Sequence, residues 1–322
     1  MPLKIYKDGG GNPIQFMEIN GVRYPYVEGV DQDHVVHVAK EAKARDDDIL
    51  LVTYAKSGTH WTWEIISMLC NGKAETVPTI KQMNMIEAIS SDDLTSLASP
   101  RVLNTHFRFN DLPKDMVRKK TKIVLVHRNP KDVAVSHFHH HIKLKSLYNY
   151  NGAWSDWLPL FLEGNGRPFA TSLCFKLLLT NVLNIVLNIS VDVNSWFDYI
   201  RDWEKAMEEN PDYPIHLMYF EDMKEDLCRE VKKLAGFLEL PVSAELCQNI
   251  AKKCQFENMQ NDKKGLENEF WTNVWVNKQP NFYRKGVVGD WKNYFTVAQN
   301  EQFDELYKQK MAGSKLNFRF EL

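Results

Sequence analysis

The sequence predicts a single α/β domain with a central parallel sheet flanked by helices. Four short apolar runs have the length and the residue types of buried strands. They lie at 49–54, 101–105, Lys122–His127 and Ile215–Tyr219. Helical patterns follow three of them, and such alternation is typical of a parallel sheet. Because ligands bind beyond the carboxyl ends of parallel strands, we expect Lys56, His106 and Arg128 to face one crevice.

The loop after the first strand has the pattern of an anion site. Lys56, Ser57, Gly58 and Thr59 join that strand to a helix. This geometry aims free backbone N–H groups and the positive end of the helix dipole at one point, where a phosphate or a sulfate binds well. Gly58 permits a close backbone approach, Lys56 adds charge, and the hydroxyl groups add donors.

A second interpretation of this loop stays open at this point, namely a capped helix with a solvated Lys56. The loop also differs from a Walker A motif. That motif needs an opening glycine and a lysine after its last glycine, whereas Lys56 precedes Gly58.

Composition excludes several classes of protein. The 322 residues are 44% apolar and 25% charged, which is ordinary for a globular chain. A net charge of −2 argues against a general binder of nucleic acid or of anionic membranes. The five cysteines are odd in number and lack C-x-x-C spacing, and the N-terminus has no apolar stretch of signal-peptide length. We therefore expect reduced thiols and a cytoplasmic protein.

Three further segments give weaker signals. We expect residues 1–30 to be irregular, with a flexible glycine tip at 9–11. The spacing of apolar residues predicts amphipathic helices over 33–44 and over 221–238.

Four motifs together resemble the cytosolic sulfotransferases, which use 3′-phosphoadenosine 5′-phosphosulfate (PAPS). They are YAKSGTHW at 54–61, NTH at 104–106, RNPKDVAVS at 128–136 and RKGVVGDWK at 284–292. They occur in the family's order and span nearly the whole chain. The resemblance implies a P-loop-like nucleotide site, PAPS as co-substrate, no metal, and a small acceptor such as a phenol, steroid, alcohol or amine.

The resemblance also implies a role for each matching residue. His106 matches the catalytic base, and Lys56 matches the lysine beside the oxygen of the leaving group. The remaining expected nucleotide contacts come from the loop, the adenine pocket and two clamps on the 3′-phosphate. They are Ser57, Gly58, Thr59, His60, Trp61, Arg128, Ser136, Phe220, Cys254, Phe256, Arg284, Lys285 and Gly286.

Three positions depart from the family pattern. Asn104 stands where the family usually has a lysine two residues before the catalytic histidine. This change predicts slower turnover unless a cation such as Arg108 substitutes. Phe220 replaces a tyrosine, and Cys254 replaces a threonine or serine. Asn104 is the reason to consider a catalytically impaired nucleotide-binding homologue as the alternative, with a P-loop phosphotransferase as a more distant one.

A histidine cluster at 137 and 139–141 suggests a metal site at first sight. It has neither a further ligand cluster nor the usual ligand spacing. We therefore expect no metal there, and some of these side chains could instead line the acceptor pocket.

A possible dimer motif lies near the C-terminus. Lys292, Thr296, Val297 and Glu301 reproduce the pattern K-x-x-x-T-V-x-x-x-E, which in the family mediates a small homodimer contact. The alternative is an ordinary junction before a helix. The resemblance thus implies a homodimer with a small interface.

The apolar segment 166–190 is foreign to this pattern, and its deletion restores the expected spacing. It could be a membrane span, a lid over the acceptor pocket, or a retained intron or gene-model error. A span would separate the two halves of the nucleotide site. The codons GGT-AGG for Gly166-Arg167 and TCA-GTG for Ser190-Val191 would place splice signals at both ends of 25 in-frame residues. We favour the intron or gene-model interpretation.

Overall fold

The computed structural model describes residues 3–19, 21–26, 39–163, 194–266, 272–278 and 282–322. The apolar segment 166–190 and the first half of the helix expected over 33–44 lie outside the described residues. Residues 39 and 40 are helical and residues 42–44 are not, so the helix does not extend to Ala44 as expected. Within the described part of the chain, no helix is both long enough and apolar enough to cross a membrane.

The predicted parallel sheet is confirmed. Its strands are β4 (Ile49–Thr53), β5 (Val102–Thr105), β6 (Lys122–His127) and β7 (Ile215–Tyr219), numbered after three N-terminal strands. All neighbours are parallel, in the order β5-β4-β6-β7. The loops after all four strands therefore emerge at the same edge of the sheet.

Both faces of this sheet are buried, which explains why its strands are continuous apolar runs. Leu50 and Val52 of β4 belong to one apolar core, and Ile49 and Leu51 belong to the core on the opposite face. The alternation of side chains along a strand thus divides one short sequence between two cores.

The expectation for the N-terminus was wrong. Over the described residues 3–19 and 21–26 the chain is not irregular, because β1 (Leu3–Lys7), β2 (Pro13–Ile19) and β3 (Val22–Tyr24) form an antiparallel sheet. The glycine tip is also held in place, since the Gly9 N–H donates to the Asp156 carbonyl at 3.0 Å. This small sheet brings Arg23 and Tyr24 to the wall of the main cavity.

Helices flank the parallel sheet and connect its strands. In chain order they are α1 (Thr59–Asn71), α2 (Ser91–Ser96), α3 (Lys114–Arg118), α4 (Pro130–Lys143), α5 (Lys145–Tyr148), α6 (Trp154–Glu163), α7 (Trp196–Glu209), α8 (Phe220–Glu225), α9 (Leu227–Leu238), α10 (Ala244–Lys253), α11 (Phe256–Asp262) and α12 (Val297–Lys310). Short 3-10 helices lie at Lys81–Asn84, Phe109–Asp111, Val276–Lys278 and Asp290–Asn293.

The helix expected over 221–238 is divided into α8 and α9. Asp226 lies between them, and its carboxylate accepts the Arg229 N–H at 2.9 Å as the N-cap of α9. An aspartate at this position competes with the backbone for a helix N–H, which favours a new helix start.

A buried ion pair fixes the start of the sheet. Arg101 donates to both carboxylate oxygens of Asp48 at 2.7 and 2.5 Å, and both side chains are almost fully buried. The same guanidinium donates to the Leu94 and Lys43 carbonyls at 3.1 and 2.8 Å. One side chain thus holds the segments that lead into β4 and β5.

We predict that Arg101→Ala lowers the free energy of unfolding by about 3–5 kcal/mol, because it leaves the Asp48 carboxylate buried without its charge partner. Equilibrium unfolding in urea measures the change. Arg118→Ala is the matched control, since its ion pair with Asp115 is exposed on the arginine side and should contribute less than about 1 kcal/mol. Equal losses in the two variants would contradict this role for Arg101.

Candidate active site

One cavity lies at the carboxyl ends of the parallel strands, as the sequence predicted. The sequence-predicted residues in its wall come from the loops and helices that follow β4, β5, β6 and β7, from the start of α11 and from the segment after 282. They are Lys56, Gly58, Thr59, His60, Trp61, His106, Arg128, Ser136, Phe220, Phe256, Arg284, Lys285 and Gly286. Ser57 and Cys254 are fully buried beside the cavity and do not line it.

The loop between β4 and α1 has an unusual backbone. Lys56 and Gly58 have φ angles of +71° and +111°, in the left-handed region. Gly58 is the N-cap of α1 and supplies no side-chain cap, so the first N–H groups of the helix stay available to a ligand. A Cβ on Gly58 would lie 3.1 Å from the Phe220 ring, so glycine is needed for close packing as well as for its φ angle.

Ser57 contributes an unsatisfied hydroxyl to this loop. Its Oγ is buried and has no hydrogen-bond partner, although its N–H donates to the Tyr54 carbonyl at 3.1 Å. A buried hydroxyl without a partner costs free energy. Such a group next to open helix N–H groups fits a loop that binds an anion.

Arg128 joins the two sides of the cavity. Its guanidinium donates to the Lys56 carbonyl at 3.1 Å and to the Val287 carbonyl at 3.2 Å, and it lies 4.2 Å from the centre of the Phe220 ring. Its Nε is buried without a hydrogen-bond partner. Arg128 can therefore bind a further acceptor from the cavity side.

Asp132 attaches the C-terminal motif to the start of α4. Its carboxylate accepts the N–H groups of Gly289 and Trp291 at 2.8 and 3.0 Å. The N-cap Asn129 accepts the Asp132 N–H at 2.9 Å and so fixes the same turn. Two motifs that are far apart in sequence meet here because one carboxylate binds both.

The C-terminal motif at 284–292 adds two cations to the cavity wall. Arg284 and Lys285 pair with the two oxygens of Asp290 at 2.6 and 2.7 Å. Burial alone would raise the pKa of Asp290, but hydrogen bonds from Lys285, Asn293 and Arg284 bring it to about 2. Two cations thus share a single carboxylate, and the group keeps a net positive charge.

Gly286 makes the turn that follows these cations. Its φ angle is +62°, and a Cβ there would lie only 2.2 Å from the ring of Phe256. This contact places the Phe256 ring directly against the turn at the cavity wall.

Aromatic side chains form the floor beside the loop. Trp61 packs edge-on against Phe220 at 5.4 Å, and its Nε1 donates to the Cys254 carbonyl at 2.7 Å. Cys254 therefore acts here through its backbone, while its thiol packs in the core. A base-sized planar ring could bind between these aromatic groups.

His106 is oriented from two sides. Its Nδ1 lies 2.8 Å from the Thr53 carbonyl oxygen, which can only accept, so Nδ1 carries the proton and Nε2 has the lone pair. The backbone N–H of His106 donates to the Glu87 carboxylate at 2.6 Å. Glu87 gave no signal in the sequence, because it belongs to none of the motifs.

Positive charge dominates the cavity. Burial, together with the charges of Lys81, Arg128, Arg284 and Lys143, lowers the pKa of Lys56 from 10.5 to about 7. An ammonium in such surroundings gains from an anionic ligand. The unsatisfied Ser57 hydroxyl, the open helix N–H groups and this charge excess together fit a nucleotide with several phosphates.

The structure shows which cation lies near Asn104, one of the positions that depart from the family pattern. Asn104 is buried, and its Nδ2 donates to the Lys81 carbonyl at 2.8 Å. Arg108 lines the cavity but forms an ion pair with Asp202. Lys81, which sequence reasoning missed because it lies in no motif, is a buried cation in the cavity wall.

The histidine cluster is divided between core and cavity. His139 and His140 line the cavity, whereas His137 and His141 are fully buried. His140 Nδ1 lies 3.3 Å from Lys56 Nζ. Among the described residues, no group of three or more His, Cys, Asp or Glu side chains could hold a metal ion.

Comparisons with known proteins show the family of this chain. The family model for the sulfotransferase domain matches residues 46–315. The chain is 36% identical over 290 residues to dog (Canis lupus familiaris) sulfotransferase 1B1, covering 87% of this chain and 88% of the relative. It is 33% identical over 305 residues to cattle (Bos taurus) sulfotransferase 1E1, covering 91% and 92%.

The fold also matches solved structures. Mouse sulfotransferase SULT7A1, complexed with PAP, superposes with a TM-score of 0.70 at 28% identity, covering 93% of this chain and 96% of that one. A retinol dehydratase superposes with the same TM-score at 19% identity, which shows the fold alone. The chain belongs to the sulfotransferase family. It is a sulfotransferase enzyme.

We predict that the buried charge of Lys56 destabilises the empty protein more at pH 7 than at pH 9. The folded pKa is lowered to about 7, so between pH 7 and 10.5 the unfolded state binds more protons, and stability falls as the pH drops through this range. Lys56→Met removes this dependence, and its stability advantage over the wild type should therefore shrink from pH 7 to pH 9.

Urea unfolding at both pH values measures this difference. Lys205→Met, at an exposed lysine, is the control and should show no such change with pH. A constant difference between Lys56→Met and the wild type would mean that Lys56 keeps an ordinary pKa.

Proposed function

We propose that this protein transfers a sulfuryl group from PAPS to a hydroxyl or amine of a small acceptor, with His106 as the general base. The observation that carries the proposal is the single cavity in which the KSGT loop, Arg128 and the Arg284-Lys285 pair face His106. Its charge excess suits the 5′-phosphosulfate and 3′-phosphate of the nucleotide. PAPS, when bound, supplies the activated sulfuryl group.

The contacts of His106 support its assignment as the base. The Thr53 carbonyl holds the proton on Nδ1, and so the lone pair on Nε2 can take a proton from the acceptor. Thr53 belongs to β4, directly before the loop that would hold the phosphosulfate. The same strand thus sets both the base and the anion site.

Lys56 and the N-terminus of α1 stabilise the leaving group in this proposal. Negative charge develops on the bridging oxygen as the bond to sulfur breaks, and preorganised donors there lower the barrier. The left-handed backbone of Lys56 and the buried Ser57 hydroxyl support this role of the loop. Arg128, Arg284 and Lys285 would hold the 3′-phosphate at the other end of the nucleotide.

We predict that His106→Ala lowers kcat by about 10²–10⁴, because it removes the general base. The affinity for 3′-phosphoadenosine 5′-phosphate (PAP) should change less than about twofold, since no phosphate contact is assigned to His106. Sulfate transfer from labelled PAPS to an acceptor panel and calorimetric PAP binding measure the two quantities separately. Full activity in the variant would refute this role of His106.

The alternative is a homologue that binds the nucleotide without catalysis. The uncharged, buried Asn104 favours it, because position 104 adds no cation to the cavity. PAP binding by the wild type together with no transfer to any acceptor of the panel would support this alternative.

The acceptor pocket we propose is partly aromatic. Phe107 and Tyr148 line the cavity with Trp275 and Leu147. Phe138 packs in the core and the partly buried Phe109 packs against it, and neither lines the cavity. Such walls suit an apolar phenol, steroid, alcohol or amine. The described cysteines are all free thiols, which supports our proposal of a cytoplasmic enzyme.

We also propose a homodimer through Lys292, Thr296, Val297 and Glu301. Val297 opens α12 and is 76% exposed. Thr296 caps the same helix with a capping box, so the apolar side chain is presented on a rigid turn.

We predict that Val297→Glu converts a dimer to a monomer, because a charge replaces the apolar centre of a small interface. Sedimentation equilibrium measures the mass. Ile5→Glu, at another exposed apolar residue, is the control and should leave the dimer intact. A monomeric wild type, or a dimer that survives Val297→Glu, would contradict the proposal.

We further propose that 1–322 is one sulfotransferase domain and that segment 166–190 is a retained intron or gene-model error. Deletion of 166–190 should leave PAP affinity within about twofold and raise solubility, because the segment is strongly apolar. Transcripts sequenced across the junction should mostly have the shorter form. Uniform presence of the segment would refute its assignment as an intron.

A further inference from the structure

Lys81 is a buried cation that none of the predicted roles uses. It is 6% exposed, and it lines the cavity with Lys56 and His106. Among the described residues, no carboxylate oxygen lies within the 4.0 Å of an ion pair from its Nζ. Its Nζ donates to the Met85 sulfur at 3.6 Å, which is a weak acceptor.

This ammonium is held in place at a cost in stability. Burial lowers the pKa of Lys81 from 10.5 to about 8, and the charge of Glu87 only partly opposes this shift. A buried charge without a close partner destabilises a fold. Charges of this kind are found mostly at sites that bind or react.

The backbone of Lys81 is held against β5, the strand that leads to His106. Its carbonyl accepts the Asn104 amide at 2.8 Å, and Asn104 lies in β5 two residues before His106. Its charge lowers the pKa of both Lys56 and His60. Lys81 is therefore attached to the strand that leads to His106, and it shares the cavity wall with His106 and Lys56.

We propose that Lys81 is the third cation of the transfer site and that it neutralises the sulfuryl oxygens between Lys56 and His106. The inference rests on the proposed function. In the transfer, the acceptor atom bonds to sulfur and gives its proton to His106. The bond from sulfur to the bridging oxygen breaks, and its electron pair stays on the departing phosphate. The sulfuryl oxygens carry negative charge throughout, and a nearby ammonium stabilises it.

The sequence predicted slower turnover unless a cation such as Arg108 substitutes, and this assignment names Lys81 as the substitute instead. Arg108 pairs with Asp202, whereas Lys81 has no carboxylate within ion-pair distance in the part of the chain described. Asn104 then has a positioning role, because its amide holds the backbone of Lys81 in place.

The test compares PAPS with PAP, which differ by the sulfuryl group alone. Calorimetry without an acceptor gives both dissociation constants for the wild type, Lys81→Met and Lys81→Arg. We expect Lys81→Met to weaken PAPS binding about five- to tenfold and PAP binding less than about twofold. Lys81→Arg keeps the charge and should retain most of the preference for PAPS.

Moving the charge is the sharpest control. Asn104→Lys in the Lys81→Met background places an ammonium at the neighbouring position, and it should restore at least about half of the lost preference for PAPS. In parallel, kcat should fall about tenfold or more in Lys81→Met and recover in the double variant. An unchanged ratio of PAPS to PAP affinity in Lys81→Met would overturn the proposal.

Thermal unfolding separates this role from a structural one. Removal of an unpaired buried charge should leave the midpoint of Lys81→Met equal to or above that of the wild type. A lower midpoint together with equal losses of PAPS and PAP binding would show that Lys81 only supports the fold, and it would also overturn the proposal. Lys81→Gln serves if Lys81→Met does not fold.

These outcomes differ from a failure of the proposed function. If the wild type binds neither PAPS nor PAP, the proposed function is wrong, and the Lys81 proposal falls with it. If the wild type binds both and Lys81→Met keeps the same ratio, only the Lys81 proposal is wrong.

Discussion

The proposed site depends on an excess of positive charge at one edge of a parallel sheet. Five cations line the same cavity, namely Lys56, Lys81, Arg128, Lys143 and Arg284. The charges of the other four lower the pKa of Lys56. The charges that act most strongly on Lys56 are all positive. A doubly phosphorylated ligand therefore removes a repulsion that the empty fold contains.

The sheet makes this arrangement possible. Because β5, β4, β6 and β7 are parallel neighbours, the residues that follow them must meet at one edge. The order places β4, which carries the anion loop, between the strands that lead to His106 and Arg128. Asp132 then brings the C-terminal motif to the same edge. Local sequence sets each loop, and sheet topology brings the loops together.

Much of this could be predicted from the sequence, because short apolar strands and the KSGT loop are local patterns. The N-terminal sheet could not, since its strands are short and half-exposed and three consecutive glycines interrupt them. Glu87 and Lys81 were missed for a different reason. They lie in a segment with one short 3-10 helix and no motif. Only the folded chain shows the hydrogen bonds from the His106 backbone to Glu87 and from the Asn104 side chain to the Lys81 carbonyl.

The central claim is that burial and the neighbouring cations lower the pKa of Lys56 to about 7 and that a bound nucleotide raises it again. Calorimetry of PAP binding at pH 8, in two buffers of different ionisation enthalpy, tests this most directly. The account predicts one PAP for each chain, with net uptake of protons on binding, since the phosphates are already ionised at this pH. A folded sample that binds no PAP, or that binds it without proton uptake, would contradict the account.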